Sequence, residues 1–295
     1  MGKFFTLWGF LLFFAIPAFS QEQIGISGMV EWDKMEIQAT VSLNLASAGL
    51  SLPAGRTQGE ALINSEYIRL IRPSILNLQM DSSSVIGDHL ERGEGTLMEV
   101  EHLALQARSV PPALSTDLRS LSASYFLDLT GVAAAHIHHE RPIEILRTLS
   151  PVPAPVYTGI IIIAYENLPV HGTRNSALPR PCLFPKIWDT DMNLIFERNM
   201  LNPRAGAMVR YFPQQSIFAT GPSGLSPEIA AIVGNRPLRI HAYGIFGISP
   251  TDPIINRDDA LLIISSEENR SLLREGKVAI ILDNSVLREA IVPGY

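Results

Sequence analysis

The chain has 295 residues, 46% of them hydrophobic and 18% charged, a globular composition far from that of a disordered chain. A formal net charge of −6 argues against a nucleic-acid-binding surface, and a single cysteine excludes an internal disulfide framework and any cysteine-cluster metal site. With 21 Gly and 21 Pro, many turns and short elements are expected in place of long bundled helices.

Residues 1–20 stand apart from the rest. Lys3 supplies a positive start, residues 4–16 are apolar apart from Thr6 and Gly9, and Pro17 ends the stretch. Ala18 and Ser20 place small residues at the −3 and −1 positions before Gln21, the layout of a cleavable secretory signal. The stretch is too short for a membrane span, which needs about 20 apolar residues. The mature chain is therefore expected to be exported, to lack a transmembrane helix and, with no cysteine at position 21, to carry no N-terminal lipid.

Residues 24–32 and 35–45 flank Asp33-Lys34. Ile37, Ala39, Val41, Leu43 and Leu45 alternate, which predicts a β-hairpin with a two-residue turn. Residues 56–78 carry helical spacing, with Ala61, Leu62, Ser65, Ile68, Leu70 and Ile71 in one stripe and Pro73 kinking or dividing the helix. Asp81 and Ser82 to Ser84 read as the cap of a short helix through Glu91. A second helix is expected over 96–108, stopped by Pro111-Pro112. Residues 120–129 alternate strictly and predict a half-buried strand that continues past Gly131 towards His139.

Ser150-Pro151-Val152-Pro153-Ala154-Pro155 reads as a stiff connector, dividing the chain into 21–150 and 151–295. Beyond it, short strands are expected at 157–165, 182–189, 194–196, 238–248, 260–265 and 277–283, with helices only at 227–233 and 267–275. The fold class expected is α+β: an N-terminal β-hairpin/helix/strand domain, then a mainly antiparallel, sandwich-like β domain.

Two stretches carry a family resemblance. The hairpin with Trp32, the helix around 58–71 and the Asp81-Ser82-Ser83-Ser84-Val85 link together resemble the small bacterial envelope lipoprotein family that includes the flagellar outer-membrane protein FlgP. Val156-Tyr157-Thr158-Gly159-Ile160-Ile161-Ile162, Leu183-Phe184-Pro185-Lys186-Ile187-Trp188-Asp189 and the apolar strand at 278–282 resemble the β-rich tail of envelope proteins sharing that domain. The resemblance implies a periplasmic protein, associated with the outer membrane, with a structural or assembly role among protein partners, itself included. It implies no catalytic residues and no cofactor.

Chemistry-bearing constellations are few. On a strand, His136 and His138 would share a face about 7 Å apart, with Glu140 in phase as a third metal ligand. Asp189-Thr190-Asp191-Met192-Asn193 begins like a calcium loop, but Leu194 stands where Gly is required and Met200 where the bidentate Glu should be, so a hairpin turn is expected. Gly221-Pro222-Ser223-Gly224 lacks the nucleophile-elbow spacing. Cys182, between Pro181 and Leu183, reads as a buried, inert thiol. The function expected is a non-enzymatic envelope or flagellum-associated assembly protein. The alternatives are a ligand- or metal-binding module using His136, His138 and Glu140, and a hydrolase whose site is assembled from distant residues.

Overall fold

The computed structural model describes residues 23–148, 153–219 and 224–293. The signal segment at 1–20, connector residues 150–152 and residues 221–223 of the Gly221–Gly224 loop lie outside the described residues.

The expected hairpin forms from β1 (Ile24–Glu31) and β2 (Glu36–Asn44), antiparallel with Val30 opposite Ile37. The turn is wider than two residues, and Met35 takes φ 51° within it. Next comes α1 (Ala54–Leu76), which runs unbroken through Pro73. The ring sits near the helix end, where it displaces few intrahelical bonds. The buried stripe of α1 is Gly59, Ile63, Tyr67, Leu70, Ile71, Ser74 and Ile75, rotated from the stripe expected around Ala61 and Ser65. Gly59 explains the rotation. A Cβ there would lie 3.1–3.2 Å from side-chain carbons of Leu43, Leu45 and Leu121, so glycine lets the helix axis settle close on the sheet. Further along, the rings of Tyr67 and Tyr125 stack with centroids 3.7 Å apart, and Tyr125 donates to Asn64 Oδ1 at 2.8 Å.

Helices α2 (Ile86–Glu91) and α3 (Leu97–Leu105) follow, the latter opened by a capping box between Thr96 and Glu99. Pro111-Pro112 does not stop that helix, which ends at Leu105 with Gln106 as its cap. The prolines lie in β3 (Arg108–Leu114), an edge strand whose register shifts between Val110 and Ala113. An edge tolerates proline because one side of the strand needs no ladder partner. β4 (Ser120–Asp128) pairs with both β2 and β3 and shows the expected alternation. It does not continue towards His139. The Asp128 carboxylate accepts the Thr130 N–H at 2.9 Å and caps α4 (Leu129–Ala135) instead.

The second half is mainly strand, completing a two-domain α+β architecture. It contains β5 (Ile160–Ile163), β6 (Leu168–Pro169), β7 (Ser176–Ala177), β8 (Ile187–Asp189), β9 (Leu194–Phe196), β10 (Arg210–Pro213), α5 (Pro227–Val233), β11 (Leu238–His241), β12 (Gly244–Phe246), β13 (Asp252–Ile255), α6 (Arg257–Ile264), α7 (Glu267–Arg274), β14 (Val278–Leu282) and β15 (Arg288–Ala290). Its strand directions differ from the antiparallel sandwich expected. Four strands in the order β10-β14-β5-β11 are parallel throughout. The reason is that both faces are covered. Ile161, Ile163, Ala279 and Ile281 pack with Ile229 and Val233 of α5 on one face. Ile160, Ile162, Val278 and Ile280 join the core containing α6 and α7 on the other. Strands buried on both faces read as continuous apolar runs, as Ile160–Ile163 does. The stretch 260–265, expected as a strand, is the end of α6 with its cap Ser265; the first turn of this helix carries Asp258 and Asp259, and its buried residues are Ala260, Ile263 and Ile264. A second sheet, β12-β13-β8-β9, is mixed.

The halves are tied together. β15 returns to pair antiparallel with β1, Met29 opposite Ala290, and completes a five-stranded sheet in the order β15-β1-β2-β4-β3. Asn269, buried on α7, pins the end of the connector. Its Oδ1 accepts the Tyr157 N–H at 3.1 Å, and its Nδ2 donates to Pro155 O at 3.0 Å. No described helix is long and apolar enough to cross a membrane.

Candidate functional site

The densest polar chemistry lies where residues 79–94 of the first domain meet the second. Asp81 organises the segment. Its Oδ1 accepts the Ser83 N–H at 2.8 Å and the hydroxyls of Ser83 and Ser84 at 2.9 Å each. Burial opposes the Asp81 charge, but these hydrogen bonds win and hold its carboxyl below the ordinary range. The tight turn leaves backbone carbonyls pointing at the other domain. Gln79 O accepts Leu183 N–H at 3.0 Å, Met80 O accepts Phe184 N–H at 2.8 Å, and Ser82 O accepts Ser249 N–H at 2.9 Å.

Behind the turn runs a chain of side chains. Ser84 Oγ lies 3.0 Å from His89 Nε2, and His89 Nδ1 lies 2.6 Å from Glu94 Oε2. The order hydroxyl, imidazole, carboxylate is that of a hydrolytic triad. Its environment is inverted: Ser84 and His89 are buried at 2% and 5% exposure, while the Glu94 side chain is 48% exposed. Ser84 also donates its proton to Asp81, so His89 faces an oxygen acceptor where a base would need a hydroxyl to deprotonate. The geometry braces the segment and leaves no free nucleophile.

On the facing domain, Asp252 is fully buried. It accepts Lys186 N–H at 3.0 Å, Thr251 Oγ1 at 3.1 Å and Trp188 Nε1 at 3.4 Å, and receives the Ser82 hydroxyl from across the junction. Burial pushes its carboxyl up despite these donors. Nearby, the Tyr211 hydroxyl accepts Cys182 N–H at 3.1 Å and donates to Cys182 O at 2.8 Å. Cys182 is buried as expected, and burial pushes its thiol far above the usual range, away from thiolate chemistry.

The sequence-level metal candidates are not brought together. His136 ends α4, so the two-residue period of a strand does not apply to it. Its Nδ1 hydrogen-bonds Val132 O at 2.8 Å, its ring centroid lies 6.5 Å from that of His138, and Glu140 is exposed. Burial lowers the affinity of His136 for a proton. Among the described residues, no three His, Cys, Asp or Glu side chains converge to hold a metal ion. Asp189 is engaged by its own hairpin, as expected. It accepts the N–H groups of Asp191 at 2.9 Å and Asn193 at 2.8 Å, and Asn193 Nδ2 at 2.8 Å.

The capping reading of Asp81–Ser84 passes over His89, Glu94 and Asp252. One signal was available: three serines behind an aspartate supply more hydroxyls than a single helix cap uses.

No curated protein matches the chain. Residues 23–135 match the family model for the N-terminal domain of Treponema pallidum Tp0624, and residues 159–284 match the model for its second domain. The two matches take in the five-stranded sheet up to β4 with its helices, then the parallel sheet through β14. The chain belongs to the Tp0624 family and carries that family's N-terminal and second domains in order.

Proposed function

We propose that this protein is an exported, non-enzymatic component of the cell envelope that works by packing against a protein partner or against copies of itself, at the flagellar envelope structures its FlgP-like features point to. The observation that carries this reading is the outward face of the five-stranded sheet. One face is sealed by α1. The other presents Gln38, Thr40, Ser42, Ser122 and Ser124, with Met29 exposed between β15 and β2 and Val110 exposed on the edge strand β3. Arg108 lies over the Phe126 ring on the same face. A sheet face with small hydroxyls and scattered apolar groups suits face-to-face packing between proteins. The junction supports the same reading, because the buried Asp252 and the backbone carbonyls of Gln79, Met80 and Ser82 are engaged in joining the two domains.

A photo-crosslinking residue at Ser42, used in the cell and followed by mass spectrometry, tests this. Capture of envelope-ring or basal-body proteins, or of a second copy, is the expected result, lost when Thr40 and Ser122 are both changed to Lys. No capture from a folded, abundant protein would overturn the reading.

A further inference from the structure

The parallel sheet divides at its carboxyl edge. After Pro213 the chain passes through the single-turn helix Gln214–Ile217 towards α5, on the face lined by Ile161, Ile163 and Ile281. After Leu282 it turns the other way, and Leu287 joins the core of the opposite face. β10 and β14 are neighbours, so their departing ends part and leave a crevice. Such a switch point is where open parallel sheets receive ligands.

A cavity of about 270 Å³ occupies this place. Pro213 and Gln215 form one lip, Asn284, Leu287 and Arg288 form the other, and Asp33 closes it from the tip of the β1–β2 hairpin. The Asp33 carboxylate lines it as a charged acceptor. An ionised carboxylate takes only donors, so the position favours a molecule that brings an N–H or O–H. Arg288 supplies the opposite charge. Its Nε lies 3.6 Å from Glu31 Oε1 and its side chain is 54% exposed, so its guanidinium stays within reach of solvent. The Gln215 and Asn284 amides donate or accept as required.

We propose that this crevice binds a small zwitterion of the amino-acid class, its ammonium on Asp33 and its carboxylate on Arg288. A carboxylate and a guanidinium line one cavity, which calls for both charges in one molecule. A volume below the range of drug-sized sites limits that molecule to amino-acid dimensions.

Titration calorimetry on the intact protein tests this with glycine, alanine, glutamate and lysine, and with propionate and ethylamine as the two half-molecules of alanine. At least one amino acid should give a saturable heat. For alanine, each half-molecule should bind at least about tenfold more weakly. Asp33→Asn and Arg288→Gln should each weaken binding by about tenfold or more. Gln215→Trp starts from an exposed position and keeps both charges, so it should abolish the heat by filling the crevice. Thermal melts of each variant establish that it folds. No saturable heat from any of the four up to ~10 mM would overturn the proposal. So would propionate or ethylamine binding as tightly as alanine, or a full heat in the Gln215→Trp variant.

Discussion

The indole of Trp32 meets the phenol of Tyr211 edge-on, with ring centroids 6.0 Å apart and planes at 84°. Trp32 follows the first strand of one domain, and Tyr211 lies in the parallel sheet of the other. Each is 1% exposed. Because the Tyr211 hydroxyl also holds both backbone groups of Cys182, the contact fixes the hairpin to the interior of the second domain.

Removing that ring should uncouple the halves. Trp32→Ala is expected to cost about 3–5 kcal/mol and to split one urea transition into two. Denaturation followed by far-UV and near-UV circular dichroism reads both effects. Coincident transitions with a loss below about 1 kcal/mol would contradict it.

Asp252 should shape the acid limb of stability. Burial raises its carboxyl, so the folded state holds that proton more firmly than the unfolded chain does. The residue's contribution is then fully present below the ordinary carboxylate value and is lost as pH rises through the raised one. Asp252→Asn cannot ionise, so its urea midpoint should lack this slope. Parallel pH profiles for the two proteins would rule the effect out. Asp252→Ala, which strands the Lys186, Trp188 and Thr251 donors, should cost about 1–3 kcal/mol.

His89 bridges Ser84 to Glu94 beneath the junction turn. His89→Ala should cost about 1–3 kcal/mol and speed amide exchange over residues 80–85 before the rest of the molecule opens. Glu94→Gln, at the solvent end of the chain, should change exchange less. Equal exchange in wild type and His89→Ala would show that the brace contributes nothing.

Gly159 sits just before β5, where a Cβ would lie 2.4 Å from Val233 Cα at the end of α5. Gly159→Ala must push that helix off the sheet, at about 1–3 kcal/mol. A lowered melting temperature and weakened packing of Ile229 on Ile161, read by methyl NMR, are expected. An unchanged melting temperature would show that the helix gives way freely.

Much of the first domain was legible because one-faced elements leave a periodic trace. The alternation of Ile37 to Leu43 and of Leu121 to Leu127 marks β2 and β4 directly. The α1 stripe was misplaced because Gly59 carries no hydrophobic signal, although its smallness brings the helix onto Leu43. In the second domain, Ile160–Ile163 announces a strand but not its direction, since burial on both faces erases the alternation. The His136–Glu140 stretch misled because Asp128 caps a helix where a strand was expected to continue. The junction brace was illegible for a different reason. Ser84, His89 and Glu94 recur at intervals of five, which matches neither the helical nor the strand period.

β15 gives the chain a late-closing topology. Its three residues, Arg288–Ala290, fill an edge of the sheet that β1 opens at residues 24–31. At roughly 5–20 residues per second of synthesis, the roughly 260 residues between them take about 13–50 s to appear. Throughout that interval the β1 edge stands bare and able to pair with another strand. The native sheet therefore closes only after the second domain has been made, and loss of Arg288–Ala290 should injure the first-made domain more than the domain they directly follow.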